Sequence, residues 1–179
     1  MELLKKLFFS ETLRRWHFEE LVRESGFSRE RVNCFLNVLS KNKFILRVKP
    51  RGKMPFYVAN RESAKFRAEK KLYGLQMLEK AGLLEHINAL EKVKTAIIFG
   101  SFARGDWNKS SDVDIFIFGE VDDFKKGIFE TKLKREIQLF NFEKAENVKK
   151  ELDEKLLVNI VTGFNIKESL EPFEVVINA

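Results

Sequence analysis

The chain has 179 residues, 44% of them hydrophobic with eighteen Phe, and its 33 Lys/Arg against 27 Asp/Glu give a net charge of +6. That length suits one ordinary domain or two small ones, and no apolar run approaches the roughly 18 residues of a membrane span. The single cysteine, Cys34, excludes an internal disulfide framework and a cysteine zinc cluster.

The charge is unevenly spread: residues 1–92 hold 20 Lys/Arg against 11 Asp/Glu, a net of +9, whereas residues 93–179 are net −3. A basic half beside an acidic half suggests two jobs, with nucleic acid a candidate partner of the first. The opening segment carries Glu2, Lys5 and Lys6 and lacks the apolar stretch and cleavage site of a signal peptide. A soluble cytoplasmic protein, without a membrane partner, is expected.

Leu3, Leu4, Leu7 and Phe8 recur at helical spacing, so the chain opens on a helix. A second short helix fits FEELVRESG, with Gly26 as its stop. In the third, Ser28 caps, Glu30 favours the first turn, and Phe27 is placed to staple onto Val32. Val32, Phe35, Leu36 and Leu39 form its apolar stripe, while Arg29, Asn33, Asn37 and Ser40 gather on a flank free to face outward. Cys34 is expected to pack half-buried on this helix. Two alternating runs, residues 44–48 and 56–59, flank PRGKMP and read as a hairpin with Arg51 and Lys53 at its tip.

Three helices and a basic hairpin resemble a winged helix-turn-helix, whose third helix enters the major groove while the wing touches backbone. The resemblance covers residues 1–62 and rests on the order of elements. It implies duplex DNA as partner and Arg29, Asn33, Asn37, Arg51 and Lys53 as its contacts. Winged helices also serve as dimer or protein contacts, so a homodimer stays open.

Residues 63–92 are helix-prone, with breaks expected at Gly74 and Gly82. They form a connector into a second domain, residues 63–179. There, residues 95–99 are a β-prone run ending at Gly100-Ser101, where a sharp turn lets amides and a hydroxyl approach phosphate oxygens. A second run, residues 113–118, carries Asp112 and Asp114 two residues apart, on one face in strand geometry. Adjacent carboxylates repel, and Mg²⁺ between them removes that penalty. A pair of such ions about 4 Å apart supports in-line attack at phosphorus.

The stretch GSFARGDWNKSSDVDIFIF, residues 100–118, resembles the signature of the DNA polymerase β-like nucleotidyltransferases. Its Ala-Arg-Gly after Gly-Ser and its Ser before the first Asp are most similar to the minimal members. The resemblance implies that Gly100, Ser101, Arg104 and Ser111 face a nucleoside triphosphate, and that Asp112 and Asp114 hold Mg²⁺ and act in catalysis. It also implies a third carboxylate on a neighbouring strand. In REIQLFNF, residues 135–142, that slot falls on Gln138, with Glu136 on the same face about 7 Å away.

The expected fold is therefore α+β: a winged helix-turn-helix followed by a small α/β nucleotidyltransferase domain with a mixed sheet. The leading expectation is Mg²⁺-dependent transfer of a nucleoside monophosphate to an acceptor. Two alternatives stand beside it: a DNA-binding regulator that senses nucleotide with weak catalysis, and an antitoxin-like partner of a HEPN-type toxin. His17 and His86 have no partner at ligand spacing, and Trp107 reads as cover for its loop rather than a stacking platform. The tail suggests a helix stopped by Gly163 and a last β-prone run at residues 173–177.

Overall fold

A computed structural model describes residues 1–173. The chain forms two compact units, one built from Met1–Lys70 with Trp107–Lys109 and the other from the remaining residues. The expected β-prone run at the C-terminus falls, after Phe173, outside the described residues.

In the first unit, α1 (Glu2–Ser10), α2 (Phe18–Ser25) and α3 (Arg29–Lys41) precede a hairpin of β1 (Ile45–Val48) and β2 (Phe56–Ala59). Local chemistry sets the ends of these helices. The backbone N–H of His17 donates to Glu20 Oε2 at 2.8 Å, and the Ser28 hydroxyl accepts from the Arg31 amide at 3.3 Å. Phe27 meets the Phe35 ring edge-on at 5.6 Å, with the Arg31 guanidinium over both rings. Phe35 thus leaves the apolar stripe half-exposed, while Val32, Leu36 and Leu39 stay buried. Cys34 is exposed, contrary to the sequence reading, because it lies on the flank of α3 that Asn33 and Asn37 occupy.

The hairpin is antiparallel with Ile45 opposite Ala59 and Val48 opposite Phe56. Alternation turns Tyr57 and Ala59 inward and leaves Leu46 and Val48 exposed. Trp16 adds a one-residue bridge, exchanging backbone hydrogen bonds with Tyr57 at 2.9 and 2.8 Å. The centre of the unit is aromatic: Phe9 touches Phe44, Phe66 and Trp107, and Phe44 meets Phe66 with ring centroids 4.8 Å apart. Trp107 is fully buried, donates Nε1–H to the Lys70 carbonyl at 3.2 Å and lies under the Lys70 ammonium. Its neighbour Lys109 donates its amide to the Ser10 carbonyl.

The long helix α4 (Ala64–Lys80) buries Phe66, Lys70, Gly74 and Leu78, one stripe at four-residue spacing. Gly74 therefore lies inside the helix instead of breaking it. The break falls at Gly82, whose φ of 79° suits glycine, and α5 (Leu83–Asn88) follows.

The second unit is built on a four-stranded mixed sheet in the order β5-β4-β3-β6. Its strands are β3 (Val93–Phe99), β4 (Val113–Gly119), β5 (Ile137–Phe142) and the short β6 (Phe164–Asn165). β3 pairs antiparallel with β4 and β6, whereas β4 and β5 are parallel. The parallel step requires a crossover, supplied by α7 (Lys126–Leu133). Between β3 and β4 stands the short helix α6 (Gly100–Arg104). Helices α8 (Ala145–Glu151) and α9 (Glu154–Val161) contribute Val148, Leu156 and Ile160 to a core with Ile97, Phe99, Phe116, Phe118 and Phe142, and Leu152 between the helices packs on it too. The alternate residues Ala96, Ile98, Ile115 and Ile117 point the other way and are equally buried, so both sheet faces are covered. Among the described residues, no helix is long and apolar enough to cross a membrane.

Candidate active site

β3 stops at Phe99, and the chain turns directly into α6 at Gly100, with φ of 66°. Phe99 is the cross-strand partner of Asp114, so the turn closes over the Asp114 carboxylate. A Cβ at Gly100 would lie 2.0 Å from Asp114 Oδ2 and 2.8 Å from its Cγ. No side chain fits there. The Ser101 backbone also faces this carboxylate and favours its charged form.

Asp114 is half-buried, and its pKa is raised above the ordinary carboxylate value. Desolvation is the largest cause and the neighbouring Asp112 the second; Arg104 and the Ser101 amide act against them. Asp112 sits one residue before β4 begins. The neighbouring like charge thus raises the proton affinity of Asp114, and a divalent cation would relieve that repulsion. Two carboxylates are also the hard oxygen donors that Mg²⁺ takes. The residues fit that ion.

β5 meets this pair from the other side. Asp114 lies opposite Gln138 in the parallel register, and Gln138 Nε2 donates to Asp112 Oδ2 at 3.4 Å. Glu136 is exposed and bonds into the sheet through its carbonyl, which accepts from the Val113 amide at 2.9 Å. Among the described residues, no group of three His, Cys, Asp or Glu is placed to hold a metal. A carboxamide thus faces Asp112 where the resemblance implies a third acid.

Two cations complete the surroundings. Arg104, at the end of α6, donates Nε–H to Asp106 at 3.1 Å and Nη1–H to Asn159 Oδ1 at 2.9 Å. It borders an open groove of about 690 Å³ along α9, lined also by Lys155, Leu156, Val158 and Thr162. Arg135 does not stand out in the sequence. Its guanidinium donates to the Ser111 carbonyl at 2.7 Å and lies 5.3 Å from the centre of the Phe102 ring. Burial lowers its pKa and Asp112 acts in the opposite sense, which puts the charge beside that aspartate. The signal is faint: one basic residue ahead of an apolar run. Gly100, Ser101, Arg104, Ser111, Asp112 and Asp114 thus follow the end of β3 or precede and open β4, the two central strands of the sheet.

The family profile for the nucleotidyltransferase domain matches residues 81–178. The chain belongs to the nucleotidyltransferase domain family. A relative in Methanocaldococcus jannaschii, named a "putative protein adenylyltransferase", is 45% identical over 51 residues, covering 26% of this chain and 51% of its own. The chain thus spans about half the length of the curated relative it matches. A solved structure of a "putative nucleotidyltransferase" from Sulfolobus solfataricus aligns with a TM-score of 0.31 and 18% identity, over 52% of this chain and 86% of its own. Within this nucleotidyltransferase domain, the aspartate pair and the Gly-Ser turn both lie inside the matched segment.

The residues expected to meet DNA lie in the first unit. Asn33 and Asn37 are exposed one turn apart on α3, and Arg51 and Lys53 are exposed around the hairpin turn at Gly52. Arg29, on the same flank of α3, is ion-paired with Glu19 of α2.

Proposed function

We propose that the protein binds a nucleoside triphosphate with Mg²⁺ at Asp112 and Asp114 and transfers its nucleoside monophosphate slowly to an acceptor. The observation that supports this is the lock between Gly100 and Asp114, in which a glycine is required because a charged oxygen occupies its side-chain space. A fold that needed only a turn has no use for that carboxylate. Bound there, the cation supplies charge neutralisation for the triphosphate and Lewis acidity at the reacting phosphorus. Gly100 and Ser101 bring the chain close to the phosphates, and Arg104 and Ser111 add polar contacts at their edge. Arg104 is held in place by Asp106 and Asn159.

Gln138 limits the rate. A carboxamide is neutral and has no useful basicity, so it cannot take the proton of an attacking hydroxyl. That favours nucleotide sensing over rapid turnover. A protein is our leading acceptor class, on the likeness to the M. jannaschii relative. The three-helix and hairpin arrangement supports the reading of the first unit as a winged helix-turn-helix that binds duplex DNA. Together these describe a nucleotide-responsive regulator, located in the cytoplasm, with slow nucleotidyl transfer as its chemistry.

The test is incubation of the full chain with α-labelled nucleoside triphosphates and Mg²⁺, alone and with cell protein or RNA. Label transferred to protein and lost in Asp112→Asn/Asp114→Asn supports the reading. Calorimetry that finds undiminished Mg²⁺-dependent ATP affinity in that double variant would sink it.

A further inference from the structure

We propose that this site holds a single divalent cation, shared by Asp112, Asp114 and the triphosphate, and that Arg135 and Gln138 together exclude a second. The inference rests on the nucleotide-binding reading above and concerns how many ions that reading admits.

The argument is one of charge and donors. A second divalent ion needs oxygen ligands of its own and a site negative enough to receive it. Here Asp112 and Asp114 contribute two negative charges and Arg135 one positive, while Arg104 is already paired with Asp106. What remains is about one net negative charge, which suits one divalent ion and opposes a second. Arg135 is no distant counter-charge: it bonds the Ser111 carbonyl at 2.7 Å, one residue from Asp112, and is held half-buried against Phe102. Gln138 acts in the same direction. Its Nε2 hydrogens, not its oxygen, face Asp112 Oδ2, so β5 presents donors to the carboxylate from which a second ion would need an acceptor. Glu136 is exposed, and among the described residues no third acid joins the pair.

The first ion is different, because it arrives with ligands and charge from the triphosphate. Asp112 and Asp114 would hold that one cation together with the triphosphate. Arg135 then has a defined role as a positioning residue: it sets the Asp112 backbone and offsets its charge without touching substrate.

The test is equilibrium dialysis of the full chain with Mn²⁺ and α,β-methylene ATP, counting bound Mn²⁺ and bound nucleotide in the same cell. One Mn²⁺ per bound nucleotide is the expected result. Two per nucleotide in the native protein overturns the single-ion inference while leaving nucleotide binding intact, and failure to retain nucleotide at all overturns both. Arg135→Gln should tighten nucleotide-free Mn²⁺ binding by about tenfold or more, since it removes a unit charge a few ångströms from the ligands. A merely structural role would weaken that binding instead. Arg135→Lys keeps the charge and should keep the native affinity. Gln138→Asp, which leaves Arg135 in place, should raise Mn²⁺ toward two per nucleotide; an unchanged count there counts against the exclusion argument.

Discussion

At Gly100 the backbone and a neighbouring carboxylate leave room for hydrogen alone. Gly100→Ala must place a methyl 2.0 Å from Asp114 Oδ2 on a backbone with φ of 66°. The left-handed conformation by itself costs about 1–2 kcal/mol for a residue with a Cβ. Asp114 must also move, so the variant should lose metal-dependent nucleotide affinity by calorimetry as well as stability in urea; loss of neither would unlink the turn from the aspartate. Asp114 makes a second prediction through its raised pKa. The native carboxyl holds its proton to a higher pH than the unfolded one, so stability falls as pH rises between those two values and stays lower above them. Asp114→Asn in chelator should therefore be more stable than the native chain at pH 7. Below the ordinary Asp range the two should converge. Parallel pH profiles of their denaturation midpoints would exclude the desolvated carboxylate as a cause. Gln138 carries the third residue-scale prediction. Gln138→Asp should raise label transfer, by up to the roughly 10²–10⁴-fold that a general base typically contributes, whereas Glu136→Gln should change little because the register puts Gln138, not Glu136, opposite Asp114.

On the scale of elements, α3 and the β1–β2 hairpin carry the DNA prediction. Asn33, Asn37, Arg51 and Lys53 are exposed, and Arg51→Ala/Lys53→Ala should both weaken duplex binding and flatten its salt dependence. The slope should change by about 0.9 log unit per tenfold salt for each phosphate that the variant no longer neutralises. Unchanged slope with weakened affinity would move these side chains away from phosphate. Arg29 should matter less, since Glu19 already pairs with it. These elements were readable because caps and periodicity are local: Ser28, Gly26 and the alternation in residues 56–59 each act within a few residues. Other features depend on distant partners. Gly74 reads as a break, yet it continues the Phe66–Lys70–Leu78 stripe of α4, where packing outweighs a helix penalty of about 1 kcal/mol. The two-residue β6 has no pattern of its own; it exists because Phe164 and Asn165 pair with Ile98 and Ile97. Likewise the motif residues stand out in sequence, but Arg135 matters only once β4 and β5 are parallel and in register.

For the whole molecule, the first unit draws its core from residues far apart in the chain. Phe66 packs on Phe9 and Phe44, and Trp107 on Phe9, so a fragment ending at residue 62 lacks two of its largest buried side chains. Truncating one such aromatic costs about 3–5 kcal/mol against a typical total of roughly 5–15. Fragment 1–62 should therefore show little cooperative unfolding by circular dichroism, and DNA binding is properly measured on the full chain. A fragment that melts as sharply as the intact protein would show that Phe66 and Trp107 are dispensable. The placement of Trp107 also has a spectroscopic consequence. The chain has two tryptophans, Trp16 and Trp107, and both are buried in the first unit, the indoles lying under the Arg14 and Lys70 cations. The second unit is dark at tryptophan excitation. Emission from the native protein is a private reporter on the first unit, even though one of its two fluorophores is spliced into the loop between Ser101 and Asp112.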